Sequence, residues 1–155
     1  MVNDSHIVDQ LLDSPEPSVQ WKVRTKVFGE ERKSPLINAL EAEIRESDRV
    51  RKLLSNRNAD GQIVVEKGVY AKWQGAQWAL STLADIGYPA GDDSLQPIAD
   101  QLLDQWLGPE FFAEFETDSK SKVYGKYGVP LMQGRYRRCG SQQSNALWTI
   151  LTLAG

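Results

Sequence analysis

The sequence predicts an all-α fold of paired helices, and three observations carry that reading. Apolar residues recur at three- and four-residue spacing in segment after segment. Serine caps and Gly or Pro stops punctuate those segments. The stretch Lys72 to Ile86 is apolar or small around most of its circumference, whereas Leu95 to Leu107 is apolar on one side only. A helix apolar all round is buried between others, so Lys72 to Ile86 is the predicted innermost element.

The elements follow in chain order. Ile7, Val8, Leu11 and Leu12 make a short amphipathic helix that Ser14 to Pro17 breaks near Asp13. A second helix is expected directly after it, with Ser18 as N-cap, Val19, Val23 and Val27 as its stripe and Gly29 as its stop. These two form a hairpin. Ser34-Pro35 then gives a cap followed by proline in the first turn, and Leu36, Leu40, Ile44, Val50, Leu53 and Leu54 continue one long surface helix with a bend near Ser47-Asp48. Asn56 to Gln62 is a turn signal, and Ile63-Val64-Val65 reads equally as extended chain or loop.

From about Val69 to Ile86 runs the inner helix, with Trp73, Ala76, Leu80 and Leu83 on one face and Gly87-Tyr88-Pro89 as its stop. Leu95, Ile98, Leu102 and Trp106 form the dry stripe of an outer helix, joined by Ala99 and Leu103. Gln96, Asp100, Gln101, Asp104 and Gln105 fill its wet side. Asp92-Asp93 stands just ahead of that helix, where carboxylates cap the N-terminus and favour its dipole. Gly108-Pro109 closes it. A long basic loop, 110–133, follows, with a short helix expected at Phe111 to Phe115; connections of that length are uncommon unless functional. A last helix opens at Gly140 or Ser141 and runs through Ala146, Leu147, Ile150, Leu151 and Ala154. Gln74, Leu83 and Gly87 match Gln142, Leu151 and Gly155 at an offset of 68, so both small-residue-rich helices are expected to be buried copies of one repeat.

Length and composition suit a single helical domain, 1–155, with N-terminal helices over 1–56 and repeats over 63–155. The chain has 155 residues, 41% hydrophobic and 25% charged. Its longest apolar stretch, Ala146 to Ala154, falls far short of the roughly 20 residues that span a bilayer. No basic and apolar leader opens the chain, so a cytoplasmic location is expected. One cysteine, Cys139, and one histidine, His6, leave no internal disulfide and no multi-cysteine zinc site, and no cofactor is expected. Charge is uneven. Residues 1–118 hold 12 Lys and Arg against 21 Asp and Glu, a net −9, whereas 119–155 hold six cations and no acid. Such a split marks an anion-binding face or a basic segment docked on an acidic one.

LLSNRNADGQ, Leu53 to Gln62, followed by YAKWQGAQWALSTLADIGYP, Tyr70 to Pro89, resembles the repeat of the terpenoid cyclase and protein prenyltransferase-like α/α-toroids. In that superfamily an outer helix ends in a Leu-Leu, Gln/Asn-rich, Asp-Gly turn, and an inner helix opens with Lys-Trp or Gly-Trp. GRYRRCGSQQSNALWTILTLAG, Gly134 to Gly155, resembles the next inner helix of squalene-cyclase-like bacterial proteins, and the N-terminal hairpin resembles HEAT-type units. The resemblance implies a partial toroid of about six main helices, since a full ring needs about ten or more. It implies architecture rather than activity. Protonating cyclases use Asp-x-Asp-Asp, and prenyltransferases gather Asp, Cys and His around zinc; neither pattern occurs.

Several residues are candidates for binding. Trp73, Trp78 and Trp148 either line an apolar pocket or pack the core. Arg135, Tyr136, Arg137 and Arg138 interleave cations with an aromatic and either meet an anion such as a diphosphate or make surface ion pairs. Cys139 precedes a helix whose amides lower a thiol pKa, yet no base stands near it in sequence; a packed structural cysteine is the plainer reading. With Gln142 it also has the Cys-x-x-Gln spacing of the internal thioester in complement-type toroid domains. No nucleic-acid motif is present and the chain is acidic overall, so no nucleic acid is expected as partner. The leading expectation is a non-catalytic scaffold or binding module for a protein partner, a second copy of itself, or an apolar or diphosphate-type ligand. The alternative is an isoprenoid-related enzyme with non-standard catalytic residues.

Overall fold

A computed structural model of the chain describes residues 4–66, 73–108, 131–132, 135–136 and 140–154. Among them the fold is all-helical, with seven helices: α1 (Asp4–Leu12), α2 (Pro17–Lys22), α3 (Pro35–Arg45), α4 (Asp48–Leu54), α5 (Ala76–Ile86), α6 (Gln96–Leu107) and α7 (Gly140–Ala154). The remaining pairing is one antiparallel pair of two-residue strands, β1 (Leu131–Met132) and β2 (Arg135–Tyr136), in which Leu131 faces Tyr136 and Met132 faces Arg135. No described helix is long and apolar enough to cross a membrane. The chain divides into two compact units, Met1–Ser55 with Thr82–Ala90, and Asn56–Ser81 with Gly91–Gly155. The division falls inside α5.

In the first unit α2 packs mainly on α3 and also touches α1. Three sequence expectations need correction there. Glu16, not Ser18, occupies the N-cap position of α2, because Pro17 takes the first helical turn, where its missing N–H costs nothing; Ser18 is buried one position further in. The stripe Val19, Val23, Val27 stops at Val23, since the helix continues as a π-helical turn, Val23–Val27, that leaves Val27 in solvent. The extra residue of that turn shows in the exit. Phe28 N–H donates to the Val23 carbonyl (3.1 Å), and beyond Gly29, at φ 68°, Glu30 N–H reaches back to Arg24 O (3.0 Å). Finally the long third helix is two helices, and its buried stripe begins at Ile37 rather than Leu36. Ser47 causes the break. Its hydroxyl accepts from Val50 N–H (3.3 Å), as Ser34 does from Ile37 N–H (3.3 Å), so each serine caps its own helix.

The core of this unit is built around Trp21, 2% exposed, with Val23, Ile37, Leu40, Ile44, Val50, Leu83 and Ile86 also buried. The Trp21 indole donates to Glu41 (3.1 Å), and Lys26 and Arg32 lie over its ring at 5.8 and 5.6 Å. Gly87 lies directly against that ring. At φ 86° it ends α5, and Tyr88 N–H closes the turn on the Leu83 carbonyl (3.0 Å), which is the predicted glycine stop.

The second unit contains α6, α7 and the first half of α5. The dry stripe of α6 is as expected: Leu95, Ile98, Leu102 and Trp106 are all buried. Gln101 is not on the wet side. It is buried because it lies three residues beyond Ile98 and beside Leu102, and its amide serves the Asn56 to Val65 segment. The Gln101 side chain accepts from Ile63 N–H (3.0 Å) and donates to Ile63 O (2.7 Å), supplying both bonds that a neighbouring strand would have made. The preceding turn is organised by Asn58, whose carboxamide oxygen accepts from Asp60 N–H (3.0 Å) and Gln62 N–H (2.9 Å).

Candidate functional site

Of the candidate residues, Trp73 and Trp78 lie at the entrance of α5 and Gln142 at the entrance of α7. Helix α5 begins at Ala76, with the Gly75 carbonyl accepting from Trp78 N–H (3.0 Å) and Ala79 N–H (3.2 Å). Trp73 therefore precedes the helix and does not join Ala76, Leu80 and Leu83 on its buried face, as the periodicity implied. It is 79% exposed at φ 64°, a left-handed conformation unusual for a bulky side chain, and its ring tilts at 41° against Trp78 with centroids 4.6 Å apart. The expected start of the helix, 69–72, lies outside the described residues. From Ala76 onward the prediction of burial holds, with Ala76, Gln77, Ala79, Leu80, Leu83, Ala84 and Ile86 all buried.

Four hydrogen bonds anchor α7. The buried Gln77 amide donates to the Gln142 carbonyl (3.4 Å) and to the Gln142 side-chain oxygen. Gln143 donates to Trp106 O (2.9 Å), one of the carbonyls that the last turn of α6 leaves unpaired. At the far end Gly91 N–H donates to Leu153 O (2.8 Å). The end of α6 thus meets the start of α7, and with Gln96 and Ala154 lining one cleft the two helices pack in opposite directions.

The face that α7 turns away from these anchors is the most unusual feature of the site. Only Ala146, Thr149 and Leu153 of the helix are buried, whereas Leu147 is 48%, Trp148 47% and Leu151 66% exposed. Gly140, Ser144 and Ala154 continue the same exposed side. The expectation that α7 is a buried copy of α5 is therefore corrected: Leu83 has no exposure, while its match Leu151 has most of its surface in solvent. Spacing alone could not distinguish them, because both helices carry small and apolar residues around the whole circumference and burial depends on what packs outside. Across its 15 residues α7 holds no charged side chain. Solvent-facing helix surfaces are ordinarily charged or polar.

The other candidates are placed less closely. Arg135 and Tyr136 lie on β2. Arg137, Arg138 and Cys139 fall outside the described residues, as does most of the basic loop 110–133 with its expected helix at Phe111 to Phe115. His6 is exposed on α1. Among the described residues no group of three His, Cys, Asp or Glu side chains could hold a metal ion. Asp92 caps a 3-10 turn, Asp93–Leu95, ahead of α6, accepting from Ser94 N–H (2.9 Å), as its position predicted. The sequence reading did not anticipate Gln77 and Gln101 as buried hydrogen-bonding side chains. For Gln77 the signal was a long amide on an otherwise apolar helix, where a polar group needs a buried partner, whereas Gln101 stood among the polar residues of the wet side. Comparison with protein-family models, with curated proteins and with solved structures gave no match.

Proposed function

We propose that this chain is a non-catalytic helical binding module of toroid-like paired-helix architecture, and that the apolar face of α7 is its protein-docking surface. The observation that carries the reading is the uncharged, half-exposed stripe of Leu147, Trp148 and Leu151. Contiguous exposed apolar side chains mark interaction surfaces, and interface centres are depleted of charge and enriched in tryptophan. The antiparallel packing of α6 on α7 supports the paired-helix reading. In a ring of helical pairs an inner helix such as α7 is covered on every side, so its open face is where a further helical surface belongs. The partner we name is a second copy of the chain, which would bring the same stripe to a two-fold axis.

The test is the mass in solution between about 1 and 200 μM, a range that brackets typical weak self-association. A concentration-dependent dimer that Leu151→Asp converts to monomer, with its helical content retained, supports the reading. A monomer across the whole range would sink the self-association.

A further inference from the structure

Within the second unit a cleft of about 260 Å³ opens beside α6 and α7, away from the Trp73 and Gln77 cluster. Leu80, Ala99, Leu103, Ile150 and Leu153 make its apolar wall, and Asp92 and Asp93 stand among the residues that line it. We propose that this cleft binds a small aliphatic primary amine in its ammonium form, with the alkyl chain on the apolar wall and the cation beside Asp93.

Shape and charge argue for that occupant together. The volume lies just below the range of roughly 300 to 1,000 Å³ typical of small-molecule pockets, so it suits a short chain rather than a polycyclic ligand. An apolar wall alone would not discriminate among short-chain compounds; the charge around it does. No Lys, Arg or His is among the lining residues, which include two carboxylates. The C-terminal residues of α7, Leu153 and Ala154, also line the cleft, and the last turn of that helix carries no basic residue, so no cationic side chain of α7 opposes an ammonium there. The two acids are not equivalent. Asp92 is committed to capping Ser94 N–H, whereas the Asp93 carboxylate makes no hydrogen bond or ion pair among the described residues, its backbone carbonyl alone accepting from Gln96 N–H. Arg57 donates to the Ser94 carbonyl (3.2 Å) close by, yet stays outside the lining. An alkyl carboxylate would be repelled, and an alcohol would gain the wall but not the charge.

Three probes of equal chain length separate these contributions: n-hexylammonium, n-hexanol and hexanoate, titrated at low salt with backbone amide shifts as readout. The expected result is saturable binding of hexylammonium with shifts centred on Gly91, Asp93 and Ala154, about fivefold or more tighter than hexanol, and no saturation with hexanoate. Asp93→Asn should remove most of that fivefold advantage and leave hexanol affinity unchanged. Ala99→Phe, which fills the cleft, should abolish binding of both. Equal affinity for the ammonium and the alcohol, an unaltered preference in Asp93→Asn, shifts centred elsewhere, or no binding of any probe would each overturn the proposal. This proposal does not rest on the α7 docking stripe of Leu147, Trp148 and Leu151, none of which lines the cleft, and a monomeric protein could still bind the amine.

Discussion

Gly87 shows how one residue can be fixed for two reasons at once. Its φ of 86° lies where a side chain costs about 1–2 kcal/mol, and a Cβ there would fall 2.3 Å from Trp21 Cδ2, against an indole already held by Glu41 and packed to 2% exposure. Gly91, at φ 79°, has nothing within 4 Å of the same position. The pair separates backbone conformation from packing. Gly91→Ala should lower the urea unfolding free energy by roughly 1 kcal/mol, and Gly87→Ala by about 3 kcal/mol once overpacking is added. Similar losses for the two variants would show that the indole moves aside at little cost. Gln101 makes the complementary case for a polar residue. Replacing it with Leu leaves Ile63 N–H and C=O without their described partners in a buried site, and a loss of about 2–3 kcal/mol is expected in the same unfolding assay.

At the scale of elements, serine determines where α3 and α4 begin. Ser34 and Ser47 each accept from the amide three residues on, and Ser47 divides what periodicity alone reads as one continuous helix. Ser47→Ala should cost about 1 kcal/mol, whereas Ser47→Asp should hold stability close to the parent because aspartate caps equally well. Equal losses in both variants, followed by chemical denaturation, would mean that packing rather than the cap sets the break. The π-helical turn after α2 is a further element that no period of 3.6 anticipates. It inserts one residue before Gly29, so the final back-bond spans Glu30 to Arg24. Surface pairs contribute little by comparison: Lys22 and Asp85 meet at 2.7 Å but are 44% and 61% exposed, and exposed pairs are worth at most about 1 kcal/mol.

For the whole molecule the informative contrast lies between α5 and α7. Both were legible as helices, with α7 starting at Gly140, one of the two expected positions, and α5 ending at Ile86 before the expected Gly87 stop, while their burial diverges along the exposed stripe of α7. Trp148→Ala should weaken any self-association about as much as Leu151→Asp, because tryptophans near the centre of an interface carry a large share of its energy. Its check is the same concentration series of solution mass. A dimer unaffected by both changes would place the interface elsewhere.

The sequence by itself determined the all-helical class, most helix boundaries, the glycine stops, the Asp92 cap and the buried stripe of α6. These follow from interactions within a few residues, namely turn geometry, capping and the 3.6-residue period. Tertiary structure decided the rest. It placed Trp73 outside its helix and Gln101 beneath the Ile63 backbone, brought Gln77 to Gln142, and left Leu151 in solvent where Leu83 is enclosed. Each depends on which distant segment packs against a residue. Local periodicity marks a face as able to be buried, but only a packed neighbour buries it.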